Sequence, residues 1–437
     1  TNSHDDRNQI SKGRGGYGNS LSLDNLLNNL IQASSGTERD KGTRFETLIR
    51  DWLTKEPTYR DLFTEVLTYK DWSGQHPELV SSGRDIGIDL VGVNSDGNGY
   101  TAIQCKFYDK EATVPKAGVD SFIASSNKPF FTKRFLVATN EHWTDPVKEE
   151  FRRQTPPVTL ITRETLASST VDWAAYQRGE LKEVAKRTPR DYQKEAIKKV
   201  ISGFKTASKG KLIMACGTGK TYTSLKIAEE QAGAGKLVLF LVPSLSLLSQ
   251  TLTDWKQQCI YPINAFAVCS DSSTGKAGLE DLESLTVGSE LAYPATTDAR
   301  SLCKQIKAAK EKKDAMTVVF STYQSIDVIH QAQTQEIDPI GEFDLVICDE
   351  AHRTAGGHFT DEKEAVFTRI HNNDYVAAKK RLYMTATPKI YGSDAKKQNE
   401  DGDIVLYSMD DEEVYGKTFH SINFTEAVRL GSLVDYK

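Results

Sequence analysis

From Lys211 to Met384 the chain repeats one pattern, a short apolar β-rich run followed by a helical stretch. The runs are Lys211–Ala215, Leu237–Val242, Ala265–Cys269, Thr317–Ser321, Leu345–Cys348 and Arg381–Met384. Continuous rather than alternating apolarity means burial on both faces, so this region folds as a parallel sheet covered by helices on both sides. The residues before it follow another plan. Phe45, Leu48, Ile49, Trp52 and Leu53 recur at helical spacing within Gly42–Leu53. Strand-like runs at Ile86–Val93 and Tyr100–Phe107 are joined by Asp96-Gly97-Asn98-Gly99, a hairpin signal, and further strands are expected at Arg134–Thr139 and Val158–Thr162. Both regions are α/β. The expected organisation is a flexible Asn/Ser/Gly-rich arm (1–40), a first domain (41–170), a linker (171–187), a parallel-sheet domain (188–390) and an acidic loop with a lead-in to something further (391–437).

Of the 437 residues 38% are hydrophobic and 26% charged, a globular composition. The longest apolar run, Leu237 to Pro243, is far short of the ~20 residues of a membrane span. Cysteines 105, 216, 259, 269, 303 and 348 form no close pair, so neither a disulfide framework nor a zinc site is indicated, and a reducing, cytoplasmic setting is expected. The net charge of −5 does not argue against a nucleic-acid partner. Residues 390–415 alone carry −6, whereas 178–205 carry +5.

Ala215-Cys216-Gly217-Thr218-Gly219-Lys220-Thr221 follows an apolar strand and opens a helix expected at Tyr222–Gln231. In that setting Gly217, Thr218 and Gly219 wrap an anion with backbone N–H groups, Lys220 reaches the β/γ-phosphates of ATP, and Thr221 ligates Mg²⁺. The strict pattern wants a glycine where this chain has Met214. Asp344–Cys348 runs into Asp349-Glu350-Ala351-His352. An acid at such a strand end can hold Mg²⁺ opposite the phosphate loop, and the next can polarise the attacking water.

In the first domain, Asp89 precedes Gln104-Cys105-Lys106 by one hairpin. With period two, Gln104 and Lys106 share one face of the strand, and Ile103, Cys105 and Phe107 the other. The expectation is a two-stranded platform with polar groups on one side and core on the other. Asp89 with the Gln104 or Cys105 carbonyl would hold Mg²⁺, and Lys106 would steady a hydroxide or the charge developing on a phosphate.

These motifs carry two resemblances. GTGKT, then DEAH, then Thr385-Ala386-Thr387 resemble the first RecA-like domain of superfamily 2 helicases and translocases over roughly 186–390. The resemblance implies that Asp349 is a metal-site acid and Glu350 the water-activating base. It implies that Gln193, in Thr188-Pro189-Arg190-Asp191-Tyr192-Gln193, reads adenine with Arg190 beside it. Ser244 and Thr322 then belong to DNA-contacting segments. His352 is a coupler between ATP and DNA or a packed strand-end histidine, and Thr385 and Thr387 are coupling residues or a structural turn. Gly83 to Leu90 with Ala102 to Tyr108 resemble Mrr-like endonucleases of the PD-(D/E)xK class over about 42–140, with Gln104 in place of the usual acid. Glu46 then matches the helical acid of that class or is a surface glutamate, and Asp85 is a further ligand or an ion-pair partner of Arg84.

A nuclease ahead of a superfamily 2 motor on one chain resembles the single-polypeptide Type ISP restriction–modification enzymes. That layout implies ATP and Mg²⁺ as cofactors, double-stranded DNA as partner, a bacterial cytoplasm, and a second motor domain, a methyltransferase and a target-recognition domain beyond this stretch. Type I motor subunits share the order and are the alternative. An ATP-gated DNA-binding module with an inactive nuclease fold is another. Only 49 residues follow Pro388, and Phe424–Gly431 resembles the lead-in to a second motor domain. The chain is therefore expected to bind nucleotide and to hydrolyse it poorly.

Overall fold

A computed structural model describes residues 14–33, 38–80, 87–114, 116–140, 142–269, 291–357, 366–391 and 406–431. The chain divides into two compact units, Thr1–Lys186 with Leu285–Pro294, and Arg187–Ser284 with Ala295–Lys437.

The first unit is built on a five-stranded sheet of β1 (Phe63–Thr68), β2 (Leu90–Asn94), β3 (Tyr100–Lys106), β4 (Phe131–Ala138) and β5 (Val158–Ile161), in that spatial order. The first three strands are antiparallel and the last three parallel. Gly97 and Gly99 both take positive φ in the β2–β3 hairpin, as its sequence requires. Two helices precede the sheet, α1 (Arg14–Ala33) and α2 (Glu38–Lys55). The apolar stripe of α2 is the expected one, with Phe45, Leu48, Ile49, Trp52 and Leu53 all buried.

The flexible-arm expectation is corrected for residues 14–33. Leu23, Leu26 and Leu27 of α1 are buried, and Asn19 fastens the helix by donating to the carbonyls of Ser169 and Val171 at 2.8 and 2.9 Å. The stretch expected as a linker begins inside the same unit, with Trp173 of α3 (Trp173–Gln177) buried against it. Residues 1–13 lie outside the described residues.

The main sheet of the second unit has eight strands among the described residues: β6 (Lys209–Met214), β7 (Leu237–Val242), β8 (Ile263–Val268), β9 (Ala295–Thr296), β10 (Met316–Thr322), β11 (Leu345–Cys348), β12 (Arg381–Thr385) and β13 (Lys417–Ile422). Their spatial order is β9-β8-β10-β7-β11-β12-β6-β13, and every pairing is parallel. All six expected strands are present. β7 is buried at every position, as its uninterrupted apolarity demands. The helices that position the site are α4 (Asp191–Phe204), α5 (Lys220–Gln231), α6 (Leu245–Gln258) and α7 (Ala299–Lys310).

Within the stretch 391–437, ahead of the lead-in expected at Phe424–Gly431, residues 417–422 form the edge strand β13, and the Phe419 ring lies over Gly203 of α4 and Gly210 of β6. Asp394, Glu400, Asp401 and Asp403 lie outside the described residues. Among the described residues no helix is long and apolar enough to cross a membrane.

Candidate functional site

In the first unit the chain reaches Asp89 through Gly87, whose φ of +82° turns the backbone just before β2. The strand therefore starts at Leu90 and not at Ile86 as expected. Asp89 is fixed at every backbone group: its N–H donates to Ile103 O at 3.0 Å and its carbonyl accepts from Tyr69 N–H at 2.9 Å. Its Oδ2 accepts the Cys105 N–H at 2.7 Å. Gln104 Nε2 donates to Gly87 O at 2.7 Å, while Gln104 Oε1 is buried without a hydrogen-bond partner.

The expected platform with one polar and one core side is corrected. Both faces are packed, and Gln104 is only 2% exposed. Burial raises the Cys105 thiol pKa well above its ordinary value, the Asp89 and Glu46 carboxylates add to the rise, and Lys106 opposes it. Asp89, Glu46 and Lys106 thus act electrostatically on one point, although Glu46 arrives from α2. Asp85, with Gly83, Arg84 and Ile86, lies outside the described residues.

Among the described residues no group of three His, Cys, Asp or Glu side chains forms a metal cage. The donors that Asp89 and Gln104 present are oxygens, the kind that a Mg²⁺ ion takes, and the buried Gln104 Oε1 carries the cost of an unmet acceptor.

In the second unit Gly219 stands at φ +80° before α5, and a Cβ there would lie 2.6 Å from Gln193 Nε2, so only glycine fits. Gln193 is buried and bridges two segments. Its Oε1 accepts from Arg190 N–H at 2.9 Å and its Nε2 donates to Thr218 O at 3.1 Å. The Tyr192 hydroxyl donates to the same carbonyl at 3.0 Å, and Trp255 Nε1 of α6 donates to Thr221 O at 3.1 Å.

Facing the loop, the Lys220 ammonium stands 3.7 Å from Glu350 Oε1, and His352 Nδ1 lies 3.3 Å from Glu350 Oε2 and 3.0 Å from Thr385 Oγ1. Thr387 N–H donates to that Thr385 hydroxyl at 3.1 Å. The hydrogen bond from His352 and the charge of Lys220 hold Glu350 below the usual carboxylate range. Asp349 goes the other way, pushed up to about 6 by burial and by the neighbouring Glu350. Adjacent acids with pKa values driven apart are a mark of assigned roles.

Residues 54–183 match the restriction endonuclease family Mrr_cat_2, and residues 186–390 match the ResIII family, the res subunit of Type III restriction enzymes. The structure superposes on an ATP-dependent Type ISP restriction–modification enzyme, LlaBIII bound to DNA, with TM-score 0.73 and 35% identity over 94% of this chain. The chain thus holds an Mrr-like nuclease domain and a ResIII helicase-like domain, and its structure is similar to that of a Type ISP enzyme. It spans 26% of the length of that Type ISP enzyme. A nuclease-deletion mutant of the Type ISP enzyme LlaGI is 39% identical over 56% of the chain and 21% of its own, with TM-score 0.43. The probable helicase A859L of African swine fever virus (isolate Tick/South Africa/Pretoriuskop Pr4/1996) is 29% identical over 248 residues, 57% of this chain and 23% of its own length.

Within this Type ISP-like chain Ser244 caps α6, its Oγ accepting Leu247 N–H at 3.4 Å. Thr322 is buried, and its hydroxyl meets Ser325 Oγ at 2.9 Å. Sequence reasoning assigned no role to Tyr192 or Trp255, or to Tyr323, whose hydroxyl donates to Asp349 O at 2.8 Å. Their partners are main-chain carbonyls distant in sequence, for which no local motif exists.

Proposed function

We propose that this chain is the nuclease and first motor portion of an ATP-dependent restriction enzyme, cleaving DNA with Mg²⁺ in the first unit and driving translocation on double-stranded DNA with the second. The single observation that carries the reading is the occurrence, in one polypeptide, of the Lys220–Glu350–His352–Thr385 chain of contacts and of Asp89 and Gln104 held to the backbone of Cys105 and Gly87.

For ATP, Gly217–Thr221 cradle the phosphates, Thr221 and Asp349 take the Mg²⁺, Gln193 and Arg190 border the base, and Glu350 orients the water. His352 and Thr385 carry the state of Glu350 into β12. For DNA, Asp89 and Gln104 Oε1 hold Mg²⁺, which supplies Lewis-acid activation when bound, and Lys106 balances charge gathering on the phosphate. Ser244 belongs to the DNA-facing side of the motor.

Lys106→Ala in the complete polypeptide tests the nuclease assignment. Removing the cation should lower DNA cleavage at least about 100-fold while nucleotide hydrolysis stays at the wild-type rate. Undiminished cleavage would show that the catalytic lysine is misassigned and would favour the reading of an inactive nuclease fold.

A further inference from the structure

Glu350 has φ +47° and ψ +44°, the left-handed region that side chains with a Cβ rarely adopt. Such a conformation persists only where the surroundings over-determine it. Its own turn supplies one part, since Arg353 N–H donates to Glu350 O at 2.9 Å and Thr354 Oγ1 to Ala351 O at 2.8 Å.

The rest comes from far away in the sequence. The carbonyl before Glu350, that of Asp349, accepts from the Tyr323 hydroxyl. The carbonyl closing the turn, that of Thr354, accepts from two donors, the Tyr415 hydroxyl at 2.9 Å and His371 Nε2 at 3.1 Å. With Nε2 donating, His371 Nδ1 is the acceptor for the Tyr383 hydroxyl at 2.9 Å, which fixes the ring's tautomer. Tyr323, Tyr383, Tyr415 and Thr354 are fully buried. The His371 and Tyr383 rings pack on Tyr415 with centroids 4.8 and 4.9 Å away. Tyr415 is itself anchored, because the segment leading to it is held by Lys211 Nζ donating to Met409 O at 2.7 Å.

We infer that Tyr323, His371 and Tyr415 are positioning residues for ATP hydrolysis, holding Glu350 in its left-handed conformation by fixing the carbonyls of Asp349 and Thr354 on either side of it. The inference rests on the reading of this site as an ATPase centre. It also gives the acidic stretch around 406–415 a role, because that stretch delivers Tyr415 to the turn. Loss of a donor lets the turn relax toward ordinary φ and swings the Glu350 carboxylate away from the γ-phosphate side. The phosphate loop that binds nucleotide is untouched.

The test is single-turnover hydrolysis of Mg–ATP with the protein in excess, run beside equilibrium binding of Mg–ADP. Tyr323→Phe and Tyr415→Phe remove only the hydroxyls. Each should slow hydrolysis about 3- to 10-fold, and the double variant more, with Mg–ADP affinity within about twofold of wild type. His371→Asn, which retains a donor, should fall between wild type and His371→Ala. A merely structural role would lower binding and hydrolysis together with the folded fraction, and that result, or a double variant hydrolysing at the wild-type rate, overturns the inference. A wild-type chain that neither binds nor turns over Mg–ATP removes the ATPase reading and the inference with it. Wild-type turnover with unaffected variants removes the inference alone.

Discussion

Asp349 and Glu350 are neighbours in one turn, yet the protein treats their charges oppositely. Glu350 faces His352 and Lys220 and keeps its charge easily. Asp349 is 5% exposed and lies beside that charge, so its own ionisation is resisted until about pH 6, against an ordinary 3.8. A carboxyl with a raised folded-state pKa stabilises the fold below its unfolded value, and that contribution is lost as pH rises through the folded value. In the nucleotide-free protein at pH 7.5 the charged Asp349 is therefore a liability. Asp349→Asn should be more stable than wild type there by on the order of 1–3 kcal/mol, the advantage shrinking toward pH 4. Urea midpoints at pH 4.5, 6 and 7.5 decide it, and parallel pH profiles for the two proteins would contradict the assignment. The stability given up at neutral pH places a carboxylate where a divalent cation would offset it.

At the scale of elements, Phe419 of β13 has room only because two glycines lie beneath it. A Cβ built on Gly210 would stand 2.2 Å from the ring, and one on Gly203 2.3 Å, so neither position accepts a side chain without displacing β13. Gly210→Ala should cost about 1–3 kcal/mol through overpacking, and Gly210→Ala with Phe419→Ala should recover part of that loss. Thermal unfolding of the two variants reads this, and additive losses would show that ring and glycine do not meet. This pair also marks where the sequence stops being legible. β7 and β11 were readable to the residue because they are apolar throughout, β7 lying between Lys236 and Pro243 and β11 between Asp344 and Asp349. β13, Lys-Thr-Phe-His-Ser-Ile, is a partly exposed edge strand whose ladder is backbone to backbone, and no side-chain period announces it. α1 is polar in composition, and only its three buried leucines and the distant carbonyls held by Asn19 make it a helix of the core. The same division runs through the sites. The roles proposed for Asp89, Lys106, Lys220 and Glu350 rest on their own side-chain chemistry, and these residues sit in compact motifs. Tyr323, His371 and Tyr415 act on carbonyls that only the folded chain brings within reach.

Across the whole molecule each unit has its own sheet and its own cluster of charged groups, so the two proposed reactions are chemically independent but energetically ordered. In the proposed mechanism nucleotide hydrolysis draws on no group among Asp89, Gln104 and Lys106, which is why Lys106→Ala is expected to leave it intact. The reverse does not hold if cleavage follows movement along DNA. In the proposed assignment Lys220 is the group that would meet the β/γ-phosphates, and removing its ammonium would take away the principal charge-assisted contact with the nucleotide. Lys220→Ala should weaken Mg–ATP binding at least about 100-fold, a cost in the range of a lost ion–phosphate contact in a partly buried site. In the complete polypeptide it should therefore abolish translocation, and with it the cleavage that depends on movement. The two variants form an asymmetric pair, one losing cleavage alone and the other losing both. Parallel assays of nucleotide binding, strand displacement of a triplex-forming oligonucleotide and DNA cleavage distinguish the possibilities. Full cleavage by Lys220→Ala would mean that the nuclease acts without the motor, and normal nucleotide binding by that variant would refute the phosphate-loop assignment itself.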